Sequence, residues 1–368
     1  MTLPVVALTG TPFEQGIAHG RVLRERIEHN REVYFGRFAR ELGISRAEVH
    51  ALAAPYRERI AAQNADYSVG MAGVAEGSGL DLLDVVALNI RYEIVYYLYG
   101  KAALPAAASE PVTDGCTVFA ALPSITASGH LLIGQNWDWI PEVQGAVLHT
   151  YDADGFETLA YTEAGIVGAK IGMNSAGVGL CINGMTTTED DWARAVRPFH
   201  VRCYEMLRCR TIDAARRVVA DEPRAIAANF LLAQTPDQVM DIEAAPDVIN
   251  VLGCGGESCL LTHANHFVDP ADLGIEETPN PRRIYSFRRA ERLAELLNAH
   301  LPITIEDIQK ALRDTRDDPF GLCRHRDLTV SPDLHYTTVT SVIIDLDART
   351  LYLTDGAPDE SPYQIASF

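Results

Sequence analysis

The stretch Asp114-Gly115-Cys116-Thr117-Val118-Phe119-Ala120 lies between two parts of the 368-residue chain that differ in residue pattern. Before it, apolar residues recur at the spacing of amphipathic helices among Glu and Arg. After it, short apolar runs such as Leu131-Leu132-Ile133-Gly134 lie between turn-forming residues, which is typical of strands. The sequence therefore predicts a helical half that meets a sheet half near residue 115.

Helical periodicity predicts helices at residues 13–42, 44–62, 80–99, 199–220 and 284–299. Ser45 is the predicted N-cap of the second helix, because its hydroxyl can accept a hydrogen bond from a backbone N–H of the first turn. The stretch from Ala102 to Thr113 is rich in Ala, Pro and Ser and predicts an exposed linker just before Gly115.

Strand patterns start at Cys116 and recur in the rest of the chain. They cover residues 116–120, 131–134, 159–185 (two or three strands), 338–345 and 350–354. The last two are separated by a short polar turn, which favours a hairpin. Strands followed by helices and then by strands again predict an α+β fold. In that fold antiparallel sheets are covered by helices, unlike a doubly wound parallel sheet.

The overall charge and the N-terminus restrict the expected partners and location. A formal net charge of -19 repels phosphate backbones and anionic lipid surfaces, so neither nucleic acid nor a membrane is an expected partner. The N-terminus lacks a basic region followed by an apolar one, and no stretch reaches the roughly 20 apolar residues that span a bilayer. We therefore expect a cytoplasmic protein. Seven scattered cysteines in a chain of this size are expected to be mostly reduced.

Cys116 is the candidate nucleophile. A cysteine at a chain's N-terminus can use its own α-amine as the base, because the pKa of that amine is roughly 8. Cys116 is internal, so this chemistry requires cleavage of the Gly115–Cys116 bond. Gly115 suits the position before the cut, since without a Cβ it lets the thiol approach its carbonyl. A free cysteine is more often a small buried hydrophobe, so the surrounding motifs must support this interpretation.

Further motifs occur in a specific order along nearly the whole chain: Gly10–Gly20, Glu76–Leu80, Asn89–Glu93, Asp114–Thr117, Gln135–Trp139, Asn174–Asn183, His263–His266 and Cys323–His325. In this order they resemble the acyl-coenzyme A:isopenicillin N acyltransferases and their hydrolase relatives. These are self-cleaving N-terminal-nucleophile (Ntn) enzymes, similar in core to penicillin V acylase and bile salt hydrolase. The resemblance implies an αββα sandwich of two antiparallel sheets between helical layers. Residues 1–115 would form a mainly helical segment and residues 116–368 would carry the nucleophile, together as one domain.

The resemblance also implies roles for four residues. Cys116 matches the nucleophile, and Asp138 matches an aspartate that supports the charged form of the nucleophile's amine. Asn265 matches the amide of the oxyanion hole. Arg324 matches a late arginine whose cation would lower the thiol pKa or anchor a carboxylate.

Two further positions separate the branches of this family. Asn183 matches, more loosely, an amide that contributes to the oxyanion hole in the bile-salt-hydrolase branch. Gln135 stands where that branch has an arginine, which speaks against bile salts and penicillin V as substrates and fits the acyltransferase branch better.

The implied activity is that of a cysteine amidohydrolase or acyltransferase acting on small linear amides or thioesters through an acyl-Cys116 intermediate. The expected partners are the small acyl substrate and the two cleaved fragments themselves. We expect no cofactor, although acyl-CoA is a candidate substrate. The alternatives are an acyl-CoA-dependent N-acyltransferase proper, a binding protein that retains the fold, and a thiol protease with His263 or His325 as base.

Other conspicuous residues have simpler interpretations. His263 and His266 have a metal-ligand spacing but no evident third ligand, so no metal site is predicted. Cys254 and Cys259 match a zinc half-site or a redox pair, but without a second pair they are interpreted as loop and core cysteines.

The two tryptophans next to Asp138 are predicted to have a packing role. Trp137 and Trp139 alternate with Asp138, which places them on the opposite face of a strand.

Overall fold

The computed structural model describes residues 2–102, 115–254 and 259–368. Nearly all of the predicted linker, together with Asp114, lies outside this part of the chain. Ten α-helices are present among the described residues: α1 (Pro12–Val22), α2 (Arg24–Leu42), α3 (Arg46–Gln63), α4 (Ala65–Ser78), α5 (Leu82–Asn89), α6 (Arg91–Ala102), α7 (Phe199–Met206), α8 (Ile212–Ala220), α9 (Arg283–Asn298) and α10 (Ile305–Leu312). Within the same ranges, none of them has the length and apolar character needed to cross a bilayer.

Two sheets contain the strands of the described residues. The first has eight strands in the order β1-β4-β5-β6-β7-β8-β9-β10, and the second has six in the order β11-β2-β3-β12-β13-β14. Their bounds are β1 (Val5–Thr9), β2 (Thr117–Ala121), β3 (Leu132–Trp139), β4 (Gly145–Tyr151), β5 (Glu157–Glu163), β6 (Ile171–Asn174), β7 (Val178–Gly184), β8 (Ala228–Gln234), β9 (Gln238–Ala244), β10 (Ile249–Gly253), β11 (Leu260–His263), β12 (Thr337–Asp345), β13 (Thr350–Leu353) and β14 (Gln364–Ser367).

All neighbouring strands are antiparallel except β1 and β4, which are parallel. The two sheets face each other through β2, β3, β7 and β8, and an apolar core fills the space between them. Helices α9 and α10 pack on the outer face of the six-stranded sheet, around residues such as Phe119, Leu293 and Leu312. Helices α1 and α8 pack against strands of the eight-stranded sheet. The predicted αββα sandwich is confirmed.

Glycines bring the first and fourth helices unusually close together. A Cβ on Gly16 of α1 would lie 2.3 Å from the carbonyl oxygen of Gly70, and one on Gly73 of α4 would lie 2.3 Å from that of Phe13. Real side chains do not tolerate such distances, so only glycine allows this packing. The packing explains why Gly16 and Gly20 occur in the motif of residues 10–20.

The predicted helices are present but are divided more finely. The segment from Phe13 to Leu42 forms two helices that meet at Leu23, and the segment 80–99 forms two that meet at Ile90. Ser45 caps α3 as predicted, in a reciprocal capping box with Glu48.

One interpretation of the cysteines was wrong. Cys254 and Cys259 form a disulfide across the end of β10, whereas the sequence suggested separate loop and core thiols. The Cα atoms of the two cysteines are 5.4 Å apart, within the range that a disulfide requires, and spacing along the sequence does not reveal this distance. Cys116, Cys181, Cys203, Cys209 and Cys323 are free thiols.

Candidate active site

Cys116 lies immediately before β2 and is fully buried. Its Sγ is 3.9 Å from the main-chain oxygen of Asp138 on the neighbouring strand β3. The preceding residue is enclosed by charged side chains. A Cβ on Gly115 would lie 2.7 Å from Oδ2 of Asp138 and 2.7 Å from Nη1 of Arg324. The predicted cleavage site therefore lies between a carboxylate and a guanidinium that were both predicted from the sequence.

Thr338 of β12 is hydrogen bonded to both Asp138 and Arg324 and thereby fixes their relative positions. Its hydroxyl donates to Oδ1 of Asp138 at 2.7 Å and accepts a hydrogen bond from the backbone N–H of Arg324 at 2.9 Å. Its own backbone N–H donates to the carbonyl oxygen of Arg324 at 2.9 Å. Thr338 pairs with Asp138 in the sheet, so the strand register itself sets this arrangement.

Asp138 and the two tryptophans lie on opposite faces of β3, as alternation predicts. Trp137 faces the other sheet, where its ring centroid lies 5.7 Å from that of Tyr161. The outer face carries Asn136, whose amide donates to the carbonyl oxygen of Leu312 in α10. Asp138, two residues further on, shares that outer face.

Asn265 follows β11 and connects three parts of the molecule. Its Nδ2 donates to the carbonyl oxygen of Gly184 at 2.9 Å, and its backbone N–H donates to Oγ of Ser286 in α9 at 2.7 Å. Its Oδ1 accepts a hydrogen bond from Nη2 of Arg289 at 2.8 Å.

Arg289 was not predicted as a site residue. It is 5% exposed, and its Nε donates to the hydroxyl of Thr117, the residue after the candidate nucleophile, at 3.2 Å. It thereby connects Thr117 to Asn265. Its spacing in α9 is that of any helical residue, so only the tertiary structure reveals the contact.

Asn183 is buried near the end of β7, next to Gly184. Its Oδ1 accepts a hydrogen bond from Nδ2 of Asn229 at 2.9 Å. Its own Nδ2 has no hydrogen-bond partner among the residues that the structure describes. Buried amide groups are normally hydrogen bonded, so an N–H of this kind is suited to receive an oxygen of a substrate.

A buried polar network extends from Asn229 to the segment that carries Asn265. Asn229 donates to Oδ1 of Asp241 at 2.6 Å, and Nε2 of His263 lies 3.0 Å from Oε1 of Glu243. Burial raises the pKa of Asp241. Burial alone would lower the pKa of His263, but the carboxylates of Asp241 and Glu243 outweigh it and raise that pKa. His263 therefore connects the two sheets electrostatically.

A second buried charge cluster surrounds Glu163 of β5, and sequence reasoning missed it. The carboxylate accepts hydrogen bonds from Arg91, Lys170 and Tyr34. Arg91 and Lys170 also lie over aromatic rings: Nζ of Lys170 is 3.4 Å from the ring centroid of Trp137.

Lys170 also interacts with the candidate nucleophile. Burial lowers the pKa of Lys170 to about 7, against the opposing influence of the Glu163 carboxylate and of the thiolate form of Cys116. The cluster therefore places a lysine of unusually low pKa within electrostatic reach of Cys116.

Replacing Glu163 with glutamine is expected to destabilise the protein by roughly 3–5 kcal/mol, because Arg91 then remains as a buried cation without its counter-ion and Lys170 must give up its proton. Chemical denaturation measures the loss. The matched control is Glu157→Gln on the same strand, whose carboxylate is 30% exposed and pairs with His149. Equal effects of the two substitutions would contradict a dominant role for the buried cluster.

The other free thiols are poor nucleophiles in this structure. Burial raises the pKa of Cys181, of Cys203 and of Cys323 well above the usual value, and raises that of Cys209 to about 11. The thiolate is the reactive form, so none of these four is set up to react at neutral pH.

The sequence matches the family model described as acyl-coenzyme A:6-aminopenicillanic acid acyl-transferase over residues 125–360, well over half of the chain. The chain belongs to this family. The matched region of this acyl-transferase family member starts after Cys116 and includes Asp138, Asn183, Asn265 and Arg324.

Two proteins are similar in sequence to this acyl-transferase family member over different shares of their length. The chain is 25% identical over 330 residues to the 40 kDa form of the acyl-coenzyme A:6-aminopenicillanic-acid-acyltransferase of Emericella nidulans, covering 87% of this chain and 84% of that protein. It is 24% identical over 187 residues to an uncharacterized protein of Archaeoglobus fulgidus, covering 47% of this chain and 31% of that protein.

Two solved structures are also similar to this acyl-transferase family member. One is penicillin V acylase from Agrobacterium tumefaciens, with a TM-score of 0.42, 12% identity and coverage of 65% of this chain and 83% of that one. Another is the N-acylethanolamine-hydrolyzing acid amidase ortholog of Caenorhabditis elegans, with a TM-score of 0.42, 13% identity and coverage of 63% and 93%.

Proposed function

We propose that this protein cleaves its own Gly115–Cys116 bond and then uses Cys116 to hydrolyse or transfer acyl groups of small linear amides or thioesters. The observation that carries the proposal is the position of Gly115. It lies between Asp138 and Arg324 at the start of β2, where a side chain would collide with both. A binding protein has no need for a glycine between a carboxylate and a guanidinium at this point.

The proposed self-cleavage has two steps. The Cys116 thiol attacks the carbonyl carbon of Gly115, so that a C–S bond forms, the C–N bond breaks and the thiol proton passes to the freed amine. Water then hydrolyses the resulting thioester. Both charged groups lie next to Gly115, and in this proposal the Arg324 cation stabilises the oxygen that becomes negative while the Asp138 anion stabilises the amine that becomes positive.

The mature enzyme repeats the same chemistry on its substrate. The α-amine of Cys116 accepts the thiol proton and returns it to the leaving group, while Asn265 and Asn183 donate hydrogen bonds to the developing oxyanion. Water or an amine then removes the acyl group from sulfur. The proposed cycle includes no cofactor, and acyl-CoA enters only as a candidate acyl donor.

Hydrolysis and transfer differ only in the final acceptor. The name of the Emericella nidulans relative contains an acyl-coenzyme A and an amine, 6-aminopenicillanic acid. An acyl-coenzyme A and an amine acceptor are therefore the first substrates to test here. An acyl thioester should be consumed in both cases. Formation of a new amide when an amine is added identifies a transferase, whereas the free acid alone identifies a hydrolase.

The protease alternative is less well supported by the surroundings of the two histidines. The ring nitrogens of His263 face Glu243 and Asp241, and those of His325 face Asp318 and Asp359. Both rings are therefore already engaged by carboxylates, whereas a catalytic base needs a nitrogen directed at the thiol.

Purified active protein is expected to contain two fragments, of 115 residues and of the remaining 253 (368 less 115). Intact mass measured under denaturing conditions tests this. The fragments should remain associated under native conditions, because β1 of the first pairs with β4 of the second and both contribute to one core. Activity from protein in which Cys116 is demonstrably internal would refute the mechanism.

Gly115→Ala is expected to slow self-cleavage roughly ten- to a hundredfold. The added Cβ would lie 2.7 Å from Asp138 and Arg324 and displace both groups, and misplacement of about 1 Å has effects of this size. The time course of fragment formation measures it. Gly253→Ala is the matched control, because a Cβ there meets nothing within 4 Å. Equal cleavage rates for the two variants would contradict the proposed role of Gly115.

A further inference from the structure

Three potential metal ligands of different chemistry meet beside Arg324. Sγ of Cys323, a ring nitrogen of His325 and a carboxylate oxygen of Asp359 all lie within 4.8 Å of one another. The Cys323 thiol donates to Oδ1 of Asp359 at 2.9 Å, and Nε2 of His325 is 3.1 Å from Oδ2 of the same carboxylate. In a tetrahedral zinc site the bonds are about 2.0–2.3 Å, so ligand atoms are on the order of 3.5 Å apart. Small side-chain rotations would reach that geometry.

The surroundings of His325 match a metal site in a second respect. Its other ring nitrogen, Nδ1, lies 2.6 Å from Oδ1 of Asp318, so a carboxylate sets the orientation of the ring. Histidine ligands of zinc commonly use their second nitrogen in this way, because the carboxylate fixes the tautomer and makes the ligating nitrogen more basic. Asp318 directs Nε2 of His325 towards Asp359.

The cluster is accessible and its surroundings are acidic. The side chains of His325 and Asp359 are about one quarter exposed, and His325 lines an open groove together with Asp355 and Glu360. The turn that carries Asp359 is held in place, since Nε of Arg313 donates to the carbonyl oxygen of Pro358 at 2.8 Å. A cation can therefore enter from solvent into a position that is already organised.

We propose that Cys323, His325 and Asp359 bind one divalent cation of borderline softness, of the Zn²⁺ class, with water as fourth ligand. Sulfur, nitrogen and oxygen ligands together favour such an ion over Mg²⁺ or Ca²⁺, which prefer oxygen alone. Coordination displaces the Cys323 thiol proton to solvent. The ion would cross-link the segment around Arg324 to the turn at Asp359, and it takes no part in acyl transfer.

Cobalt binding tests the proposal independently of catalysis. Metal-free, full-length protein, with its disulfide left oxidised, is titrated with CoCl₂. We expect one equivalent to bind with a thiolate-to-cobalt charge-transfer band, and Zn²⁺ to abolish that band. Cys323→Ser should lose the band, whereas Cys209→Ser should keep it, because Cys209 is a partly buried thiol with its own acceptor in the carbonyl of Glu205.

Two substitutions nearer the surface keep the test decisive if Cys323→Ser does not fold. Asp359→Asn removes a ligand charge and Asp318→Asn removes the carboxylate behind His325, and each should weaken cobalt binding at least tenfold. Absence of a charge-transfer band in the wild-type protein would overturn the proposal. So would a band that persists in Cys323→Ser, or wild-type affinity in Asp359→Asn.

Discussion

Cys116→Ala is expected to abolish both cleavage of the chain and all turnover. The proposed mechanism has one nucleophile for both reactions, and removal of a nucleophile lowers kcat by a factor on the order of 10⁶ in enzymes where its residues act as a unit. The protein should remain folded, since alanine fits a fully buried position at the start of β2 with the loss of one sulfur. Intact mass and an acyl-release assay on the same preparation give both readouts.

Cys116→Ser separates the two steps. A hydroxyl can still attack the Gly115 carbonyl but is a weaker nucleophile at neutral pH, so slow cleavage with little turnover is expected. The matched control is Cys209→Ala, which removes a free thiol whose pKa is about 11 and should leave both reactions unchanged. The assignment of the nucleophile fails if Cys323→Ala, in folded and cleaved protein, is as inactive as Cys116→Ala.

Asn265→Ala is expected to lower kcat by about a hundredfold or more and to leave KM nearly unchanged. This is the pattern for loss of a donor that acts on the transition-state oxygen. Cleavage of the variant is first verified by intact mass, and its steady-state kinetics are then measured. A similar but smaller loss is expected for Asn183→Ala, which removes the buried Nδ2 described above.

The structural alternative for Asn265 predicts a different result. Its side chain connects Gly184 to Arg289, so a purely structural role would cost roughly 1 kcal/mol for each lost hydrogen bond, and activity would follow the folded fraction. Arg289→Ala is the informative comparison, because it removes the same connection from the other side. Thermal melts and kcat of both variants distinguish the roles: a folded, cleaved Asn265→Ala enzyme with near-normal kcat removes this residue from the mechanism.

The helical and strand segments were predictable because their periodicity is local. The capping box at Ser45 and the hairpin of β12 and β13 depend on residues a few positions apart, and both are present. The division of residues 13–42 at Leu23 was not predictable. Apolar spacing continues through the break, and only the folded structure shows that the backbone of Leu23 leaves the helical conformation.

For the candidate site, too, motifs in the sequence identified the residues, and tertiary contacts brought them together. Gly115, Cys116, Asp138 and Arg324 were identified from ordered motifs, and the fold brings Gly115, Asp138 and Arg324 together at the start of β2. Their roles in catalysis remain predictions. The division into a segment of residues 1–115 and one of 116–368 also remains a prediction until fragments are observed.

The amino-acid sequence by itself determined the family resemblance, the candidate nucleophile and the αββα class, because each depends on residue types at fixed positions in order. Only the tertiary structure decided which partners surround them. Glu163 meets Arg91 from 72 positions away, Arg289 meets Thr117 from 172, and Asp359 meets Cys323 from 36. A hydrogen bond between residues so far apart leaves no periodic or local pattern in the sequence, because its geometry exists only after two sheets and their helices have packed.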